Sequence, residues 1–220
     1  MPGTAARSSR GAAGPSRERR PGITATVLRN LACAAAACLV LASCSGGGPA
    51  FRSTDITGAG LGRDFKLIDH NGQPRTLADF HGKVLVVFFG FTHCPDVCPI
   101  TLLELARALK QLGADAQRVQ VVMITVDPER DTPEVLRRYV TALNPGFLGL
   151  TGDPEAISAA AREFKVFYQK SPGATAQAYS VDHSSGTFVY DAAGRLRLLV
   201  GYGQGADVFA HDIGQLLRAG

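Results

Sequence analysis

The sequence predicts an α/β fold with a central mixed sheet flanked by helices. Two continuous apolar stretches, residues 84–89 and Val119–Thr125, are rich in β-branched and aromatic side chains, which is typical of strands covered on both faces. An amphipathic helix lies between them, and a strand, a helix and a strand within about 42 residues favour a parallel pair. Two further apolar runs near the C-terminus surround a glycine turn and predict an antiparallel hairpin.

The first elements each carry a local signal. Residues 64–69 predict a short strand, which is followed by a turn at Asn71 and Gly72. The helix after the first apolar stretch has Pro99 in its first turn and Gly113 at its exit. Its apolar side chains recur at helical spacing and are Leu102, Leu105, Ala106, Leu109 and Leu112.

Capping residues and prolines predict where the later helices begin. Thr132 precedes Pro133 and Asp153 precedes Pro154, and each pair combines an N-cap side chain with a proline suited to the first helical turn. The predicted elements are helices near 133–142 and 154–164, strands at 187–191 and 195–201, and a last helix at 206–218. This order of elements is that of a thioredoxin-like fold.

Residues 1–44 predict an export signal of lipoprotein type. A basic leader precedes an apolar run of eleven residues, which is too short to cross a bilayer as a helix. The run ends in Leu-Ala-Ser-Cys, which resembles a bacterial lipobox, in which Cys44 is lipidated and becomes the first mature residue. We therefore expect a flexible tether at 45–52 and a folded domain at 53–220, held by lipid on the extracytoplasmic (periplasmic or outer-surface) side of a membrane. The sequence leaves open whether export follows the general or the twin-arginine route.

The positive charge of the chain belongs to the leader. Removing its six arginines and one glutamate from the totals of 23 basic and 19 acidic residues leaves 17 and 18 in the exported part. That part contains no basic patch with interleaved aromatic residues, so nucleic acid is not an expected partner.

Cys94 and Cys98 are the thiols that remain in the exported part besides Cys44. They fall where a thioredoxin-like fold keeps its redox motif, but three residues separate them instead of two. Placed one helical turn apart, their Cα atoms would lie about 6 Å from each other, within the range that a disulfide accepts. Two thiolates at this separation also suit one soft metal ion such as Cu(I) or zinc. Spacing alone leaves both options open.

A metal needs at least one further ligand, and sequence position favours His183. It stands just before the strand at 187–191, and the loop that enters this strand lies beside the redox motif in a thioredoxin-like fold. Asp182 either orients the imidazole or caps a turn. Asp127 lies at the carboxyl edge of the second apolar strand and is a further supporting candidate, with capping and an ion pair to Arg130 as the alternative.

The other histidines are not expected to bind the metal. His70 and His81 lie in polar segments around predicted turns and are expected at the surface. His93 is adjacent to Cys94, and a neighbouring side chain on a loop usually points away from the ligand direction. His211 lies on the last helix and is expected to be solvated.

Four segments together resemble the Sco/SenC family of copper-handling, thioredoxin-like proteins. They read FFGFTHCPDVCP at 88–99, TVDPERDTP at 125–133, GLTG at 149–152 and VDHS at 181–184. They occur in the order of the family, and the resemblance spans roughly 53–218. The first segment is long and specific, and the later three are weak when taken alone.

The resemblance implies a copper site made of Cys94, Cys98 and His183. The two cysteines can also form a redox disulfide. It further implies a role in maturing the dinuclear copper centre of cytochrome c oxidase subunit II, or of another extracytoplasmic copper protein. A metallochaperone would do this by delivering copper, whereas a thiol–disulfide oxidoreductase would reduce the partner's cysteines. A peroxidase on the same fold is a third class, for which no other residue argues. Many family members use a transmembrane helix where this chain resembles a lipoprotein.

Overall fold

The computed structural model describes residues 50–173 and 178–220. The lipoprotein-type leader at 1–44 with Cys44, and residues 45–49 of the tether, lie outside the described residues. Within the described ranges, no helix combines the length and the apolar character needed to cross a bilayer.

The described part of the chain alternates short and long strands with helices. The strands are β1 (Thr54–Asp55), β2 (Leu67–Asp69), β3 (Pro74–Arg75), β4 (Val84–Gly90), β5 (Val119–Thr125), β6 (Leu148–Thr151), β7 (Tyr168–Ser171), β8 (Ser180–His183), β9 (Thr187–Tyr190) and β10 (Leu196–Val200). The α-helices are α1 (Val97–Leu112), α2 (Pro133–Leu143), α3 (Pro154–Glu163) and α4 (Ala206–Ala219), and 3₁₀ turns cover Leu77–Phe80 and Gly113–Arg118.

Eight of these strands form one mixed sheet in the order β1-β10-β9-β4-β5-β6-β2-β3. β4 pairs in parallel with β5, and β5 with β6, while β9 and β10 are antiparallel to each other and β9 is antiparallel to β4. Every residue of β4 is buried, since this strand lies in the middle of the sheet and is covered on both faces. The predicted thioredoxin-like α/β fold, with a central mixed sheet flanked by helices, is confirmed.

The predicted helix caps are present. The Thr132 hydroxyl accepts a hydrogen bond from the Val135 amide at 3.3 Å, and the Asp153 carboxylate accepts one from the Ala156 amide at 2.7 Å. Each such cap contributes about 1 kcal/mol, because it satisfies an amide that has no partner inside the helix. Gly113 ends α1 with φ = 59°, a conformation that strains residues with a side chain.

The structure differs from the sequence-based expectation at the segment before β9 and at His70. The segment before β9 is not a plain loop, because β8 pairs antiparallel with β7 in a separate two-stranded sheet. His70 is buried at 7% exposure, although we expected it at the surface. Its ring Nδ1 accepts a hydrogen bond from the Gly149 amide at 3.1 Å, and this satisfies a buried donor between β2 and β6.

The large sheet and the core lie entirely within residues that belong to one compact unit, 49–220. Its central side chains are mostly aromatic and aliphatic residues contributed by β4, β5 and the helices that cover them. This unit is therefore the part of the chain that can be studied separately from the leader.

Candidate metal centre

The cysteine motif lies at the carboxyl end of the central strand β4. The chain leaves the sheet after Gly90, and α1 begins at Val97, so Cys94 stands on the connecting loop while Cys98 lies in the first helical turn. Gly90 allows this close packing, because a Cβ atom there would lie 2.8 Å from the Cys98 Sγ. The strand thus brings the buried thiol directly against the end of the sheet.

The two thiols have different surroundings. Cys94 is partly exposed and Cys98 is fully buried, and both are free thiols. The Cys98 amide donates to the Cys94 Sγ at 3.5 Å, so the N-terminal end of α1 faces the Cys94 sulfur. Burial raises the pKa of the Cys98 thiol, which keeps that sulfur protonated until a metal or a base takes its proton.

His183 is the last residue of β8, and its ring faces the buried thiol. Its Nε2 lies 3.5 Å from the Cys98 Sγ, and its Nδ1 lies 2.8 Å from the Ser184 carbonyl oxygen. A carbonyl can only accept, so Nδ1 carries the proton and Nε2 presents a lone pair to the thiols. Burial lowers the pKa of His183 and so favours this neutral form, which is also the form that binds metals.

Two phenylalanines hold the His183 ring in this orientation. The Phe91 ring meets it edge to face with centroids 5.8 Å apart, and the Phe88 ring does so at 6.3 Å. Apolar walls of this kind exclude water and restrict the rotation of the imidazole.

Cys94, Cys98 and His183 converge on one point. Their three donor atoms lie within 4.8 Å of one another, and among the described residues they are the one such group of three or more. Donor atoms bound to one ion at about 2.0–2.3 Å lie roughly 4 Å apart, so this set needs less than about 1 Å of adjustment to enclose an ion. Two thiolates and an imidazole suit soft or borderline metals such as copper and zinc.

The other predicted site residues lie farther out. Asp182 accepts a hydrogen bond from Ser171 on the neighbouring strand β7, whereas the His183 ring bonds to the Ser184 carbonyl instead. Asp127 is buried and makes the expected ion pair with Arg130. His93 is exposed and lies outside the three-residue group.

Asp131 has a role that the sequence did not indicate. This fully buried carboxylate accepts hydrogen bonds from the Thr92 hydroxyl and the Thr125 hydroxyl, both at 2.6 Å, and from the Thr92 amide at 3.0 Å. It therefore ties the loop that carries Cys94 to the end of β5. The available signal was a threonine two residues before the first cysteine, which is too common to identify such a contact.

The family model described as SCO1/SenC matches residues 53–218 of the chain. The chain is 40% identical over 171 residues to the mitochondrial SCO2 homolog of Mus musculus, and 42% identical over 146 residues to that of Bos taurus. These matches cover 76% and 65% of the chain, but only 67% and 55% of the two relatives.

Solved structures of Sco proteins are also similar to the chain. Bradyrhizobium japonicum ScoI with copper bound is 35% identical, with a TM-score of 0.66 over 71% of the chain and 99% of ScoI. Apo Sco1 from Thermus thermophilus is 46% identical, with a TM-score of 0.69 over 78% of the chain and 99% of Sco1. A SCO1/SenC family lipoprotein from Bacillus anthracis is 25% identical, with a TM-score of 0.62 over 76% of the chain and 99% of that protein. The chain belongs to the SCO1/SenC family.

Proposed function

We propose that this protein is a copper metallochaperone that binds one copper ion through Cys94, Cys98 and His183. The observation that carries the proposal is the convergence of two thiols and one imidazole nitrogen within 4.8 Å. The copper-bound structure of the similar ScoI supports the choice of metal. Soft thiolates also select copper over the hard cations that an exported protein meets.

The unequal exposure of the two thiols suits a protein that must release its cargo. Copper binding displaces the Cys98 proton, and the ion then lies between a buried thiolate and the His183 ring. The partly exposed Cys94 is the ligand that an incoming donor can replace first. Stepwise ligand exchange of this kind moves an ion between two proteins without freeing it into water.

The recipient that we propose is the dinuclear copper site of cytochrome c oxidase subunit II, or another extracytoplasmic copper protein. The resemblance to the family supports this recipient. We further propose that the mature protein is held at the membrane by lipid on Cys44, and the similar lipoprotein of Bacillus anthracis supports that anchor. The protein and its recipient would then face the same side of one membrane.

The test is an anaerobic copper titration of reduced residues 45–220 against a competing chelator, for the parent chain and for Cys94→Ser, Cys98→Ser and His183→Ala. We expect one copper per chain in the parent. Each cysteine variant should lose binding of both oxidation states, because one thiolate and an imidazole form a much weaker soft site. His183→Ala should bind Cu(II) at least about a hundredfold more weakly, since only two of the three proposed ligands, the thiolates, would remain.

The alternative is a thiol–disulfide oxidoreductase that reduces partner cysteines without carrying metal. The partial exposure of Cys94 favours this chemistry, since a partner disulfide can reach its sulfur. In that case His183→Ala would keep full reductase turnover, and the parent chain would bind copper no better than the variant. A parent chain that binds copper no better than His183→Ala would overturn the metallochaperone proposal. Unchanged turnover alone would show that the protein can also act as a reductase.

A further inference from the structure

The strand that carries His183 does not belong to the main sheet. Among the described residues, β8 pairs with β7 in a separate two-stranded sheet and with no strand of the main sheet. The hydrogen-bonded strands from which the cysteine loop emerges therefore do not include the strand that carries the imidazole. An isolated two-stranded hairpin has marginal stability in water. Side chains must therefore hold this hairpin at the carboxyl edge of β4 and β5.

The segment after β5 provides these contacts to the residue that precedes β8. The Tyr179 hydroxyl donates to the Asp127 Oδ1 at 2.6 Å, and the Arg130 Nη1 donates to the Tyr179 carbonyl oxygen at 2.9 Å. The Arg130 guanidinium lies over the Tyr179 ring, 3.6 Å from its centroid, and its Nε pairs with the Asp127 carboxylate. Tyr179 is thus held at its hydroxyl, its ring and its backbone.

The same guanidinium reaches toward the metal centre. Arg130 lies 5.9 Å from the Phe91 ring centroid, and Phe91 packs edge to face on His183. The Arg130 side chain is only 17% exposed, and its Nη2 is buried without a hydrogen-bond partner among the described residues. Burying a cation with an unpaired donor costs stability, which indicates that this arrangement serves position more than stability.

We propose that Asp127, Arg130 and Tyr179 form a positioning cluster that sets the place of His183 opposite Cys98. This inference rests on the proposed function, since it concerns the third ligand of the copper site. The thiols depend on a different anchor, the contacts of Asp131 with Thr92 and Thr125. Loosening the positioning cluster should therefore displace the imidazole and leave the cysteine pair in place.

A second contact between the same two segments supplies the matched control. Lys170 on β7 pairs with Glu129 at 2.7 Å, but the two side chains are 45% and 62% exposed. Exposed pairs of this kind contribute about 0–1 kcal/mol and hold their partners weakly. Glu129→Gln therefore weakens a link to the hairpin and leaves the hydrogen bonds of the positioning cluster unchanged, although Lys170 also lies 4.8 Å from the Tyr179 ring centroid.

The experiment compares Tyr179→Phe, Asp127→Asn and Glu129→Gln with the parent chain of residues 45–220. We expect Tyr179→Phe and Asp127→Asn to bind Cu(II) about tenfold more weakly, the size expected for one lost hydrogen bond to a charged group. Their sulfur-to-Cu(II) charge-transfer band should shift, because the imidazole ligand changes. Cu(I) affinity, which two thiolates support, should change less than about twofold. Glu129→Gln should match the parent in every measurement.

A readout without metal separates this inference from the proposed function. In the metal-free chain, the amides of residues 180–183 should exchange hydrogen at least about tenfold faster in Tyr179→Phe than in the parent or in Glu129→Gln. Parent-like exchange and a parent-like Cu(II) spectrum in Tyr179→Phe would overturn the positioning role. If His183→Ala itself left copper binding unchanged, the proposed function would fail, and the exchange rates alone would decide whether the cluster holds the hairpin. Tyr179→Phe keeps the ring that stacks on Arg130. It therefore tests whether the cluster positions His183 even if Asp127→Asn does not fold.

Discussion

Cys94 and Cys98 share one motif but present their sulfurs to different environments. Cys94 is partly exposed and accepts the Cys98 amide, whereas Cys98 is fully buried behind it and faces the His183 ring. In many redox pairs of this fold, the exposed thiol attacks and the buried thiol resolves. In the proposed copper site, the same asymmetry would let the outer sulfur exchange with a partner while the inner sulfur retains the ion.

This asymmetry predicts different rates of alkylation. In the reduced, metal-free chain at pH 7.5, iodoacetamide should modify Cys94 at least about tenfold faster than Cys98, because reactivity follows the accessible thiolate. Burial raises the pKa of Cys98, so its rate should rise only at strongly alkaline pH. Mass spectrometry of Cys98→Ser and Cys94→Ser in residues 45–220, where each variant keeps one thiol, measures the two rates separately. Equal rates in the two variants would contradict the described burial.

At the level of elements, the sequence predicted the parts whose signal is local. The long apolar strands β4 and β5 and the capped helices α2 and α3 were correct to within one residue at each end. β6 was missed, since its four residues include Gly149, which packs where a Cβ would lie 2.9 Å from Leu136. Nor did the sequence predict the hairpin of β7 and β8, because those strands are short and half polar.

In the candidate site, too, the sequence predicted the residues with a local signal and missed the contacts between distant segments. The thiols could be found from their spacing, and His183 could be ranked first from its place before β9. The contacts of Arg130 with Tyr179 could not, because they join residues 49 positions apart through a hairpin that has no sequence signature. Buried polar contacts of this kind depend on the whole fold, so a sequence alone cannot place them.

His70 gives a prediction for the element that joins β2 to β6. Its neutral ring accepts the Gly149 amide, and burial lowers the pKa of His70 below its usual value of about 6.5. A histidine with a lowered pKa contributes stability above the unfolded pKa, and this contribution is lost as the pH falls. The free energy of unfolding should therefore drop as the pH falls from 7 to 5.5.

His70→Asn is the matched control, because the amide oxygen can accept from Gly149 and does not titrate. Urea unfolding at each pH should give a shallower loss for His70→Asn than for the parent. His183 also has a lowered pKa but is present in both chains, so the difference between them isolates His70. Identical pH dependence in both chains would show that the buried ring carries no such linkage.

The whole molecule gathers three distant segments at one edge of the sheet. The parallel strands β4 and β5 end side by side, and this carboxyl edge is where α/β sheets place their ligand sites. The first strand delivers the cysteine loop, and the second delivers the segment that anchors both this loop and the His183 hairpin. The three proposed ligands all lie in the described residues, and we therefore expect copper binding and membrane attachment to be separable properties of the chain.

Replacing Cys44 tests this separation in the full chain. Expressed in a bacterial host, the parent should be cleaved before Cys44, gain the mass of a lipid and remain in the membrane fraction, because two or more acyl chains anchor a protein stably. Cys44→Ala should lose the lipid mass and fail to remain at the membrane as the mature form. Its residues 45–220 should still bind one copper with the parent's affinity. A mature Cys44→Ala protein that stays in the membrane without lipid would show that another segment provides the anchor.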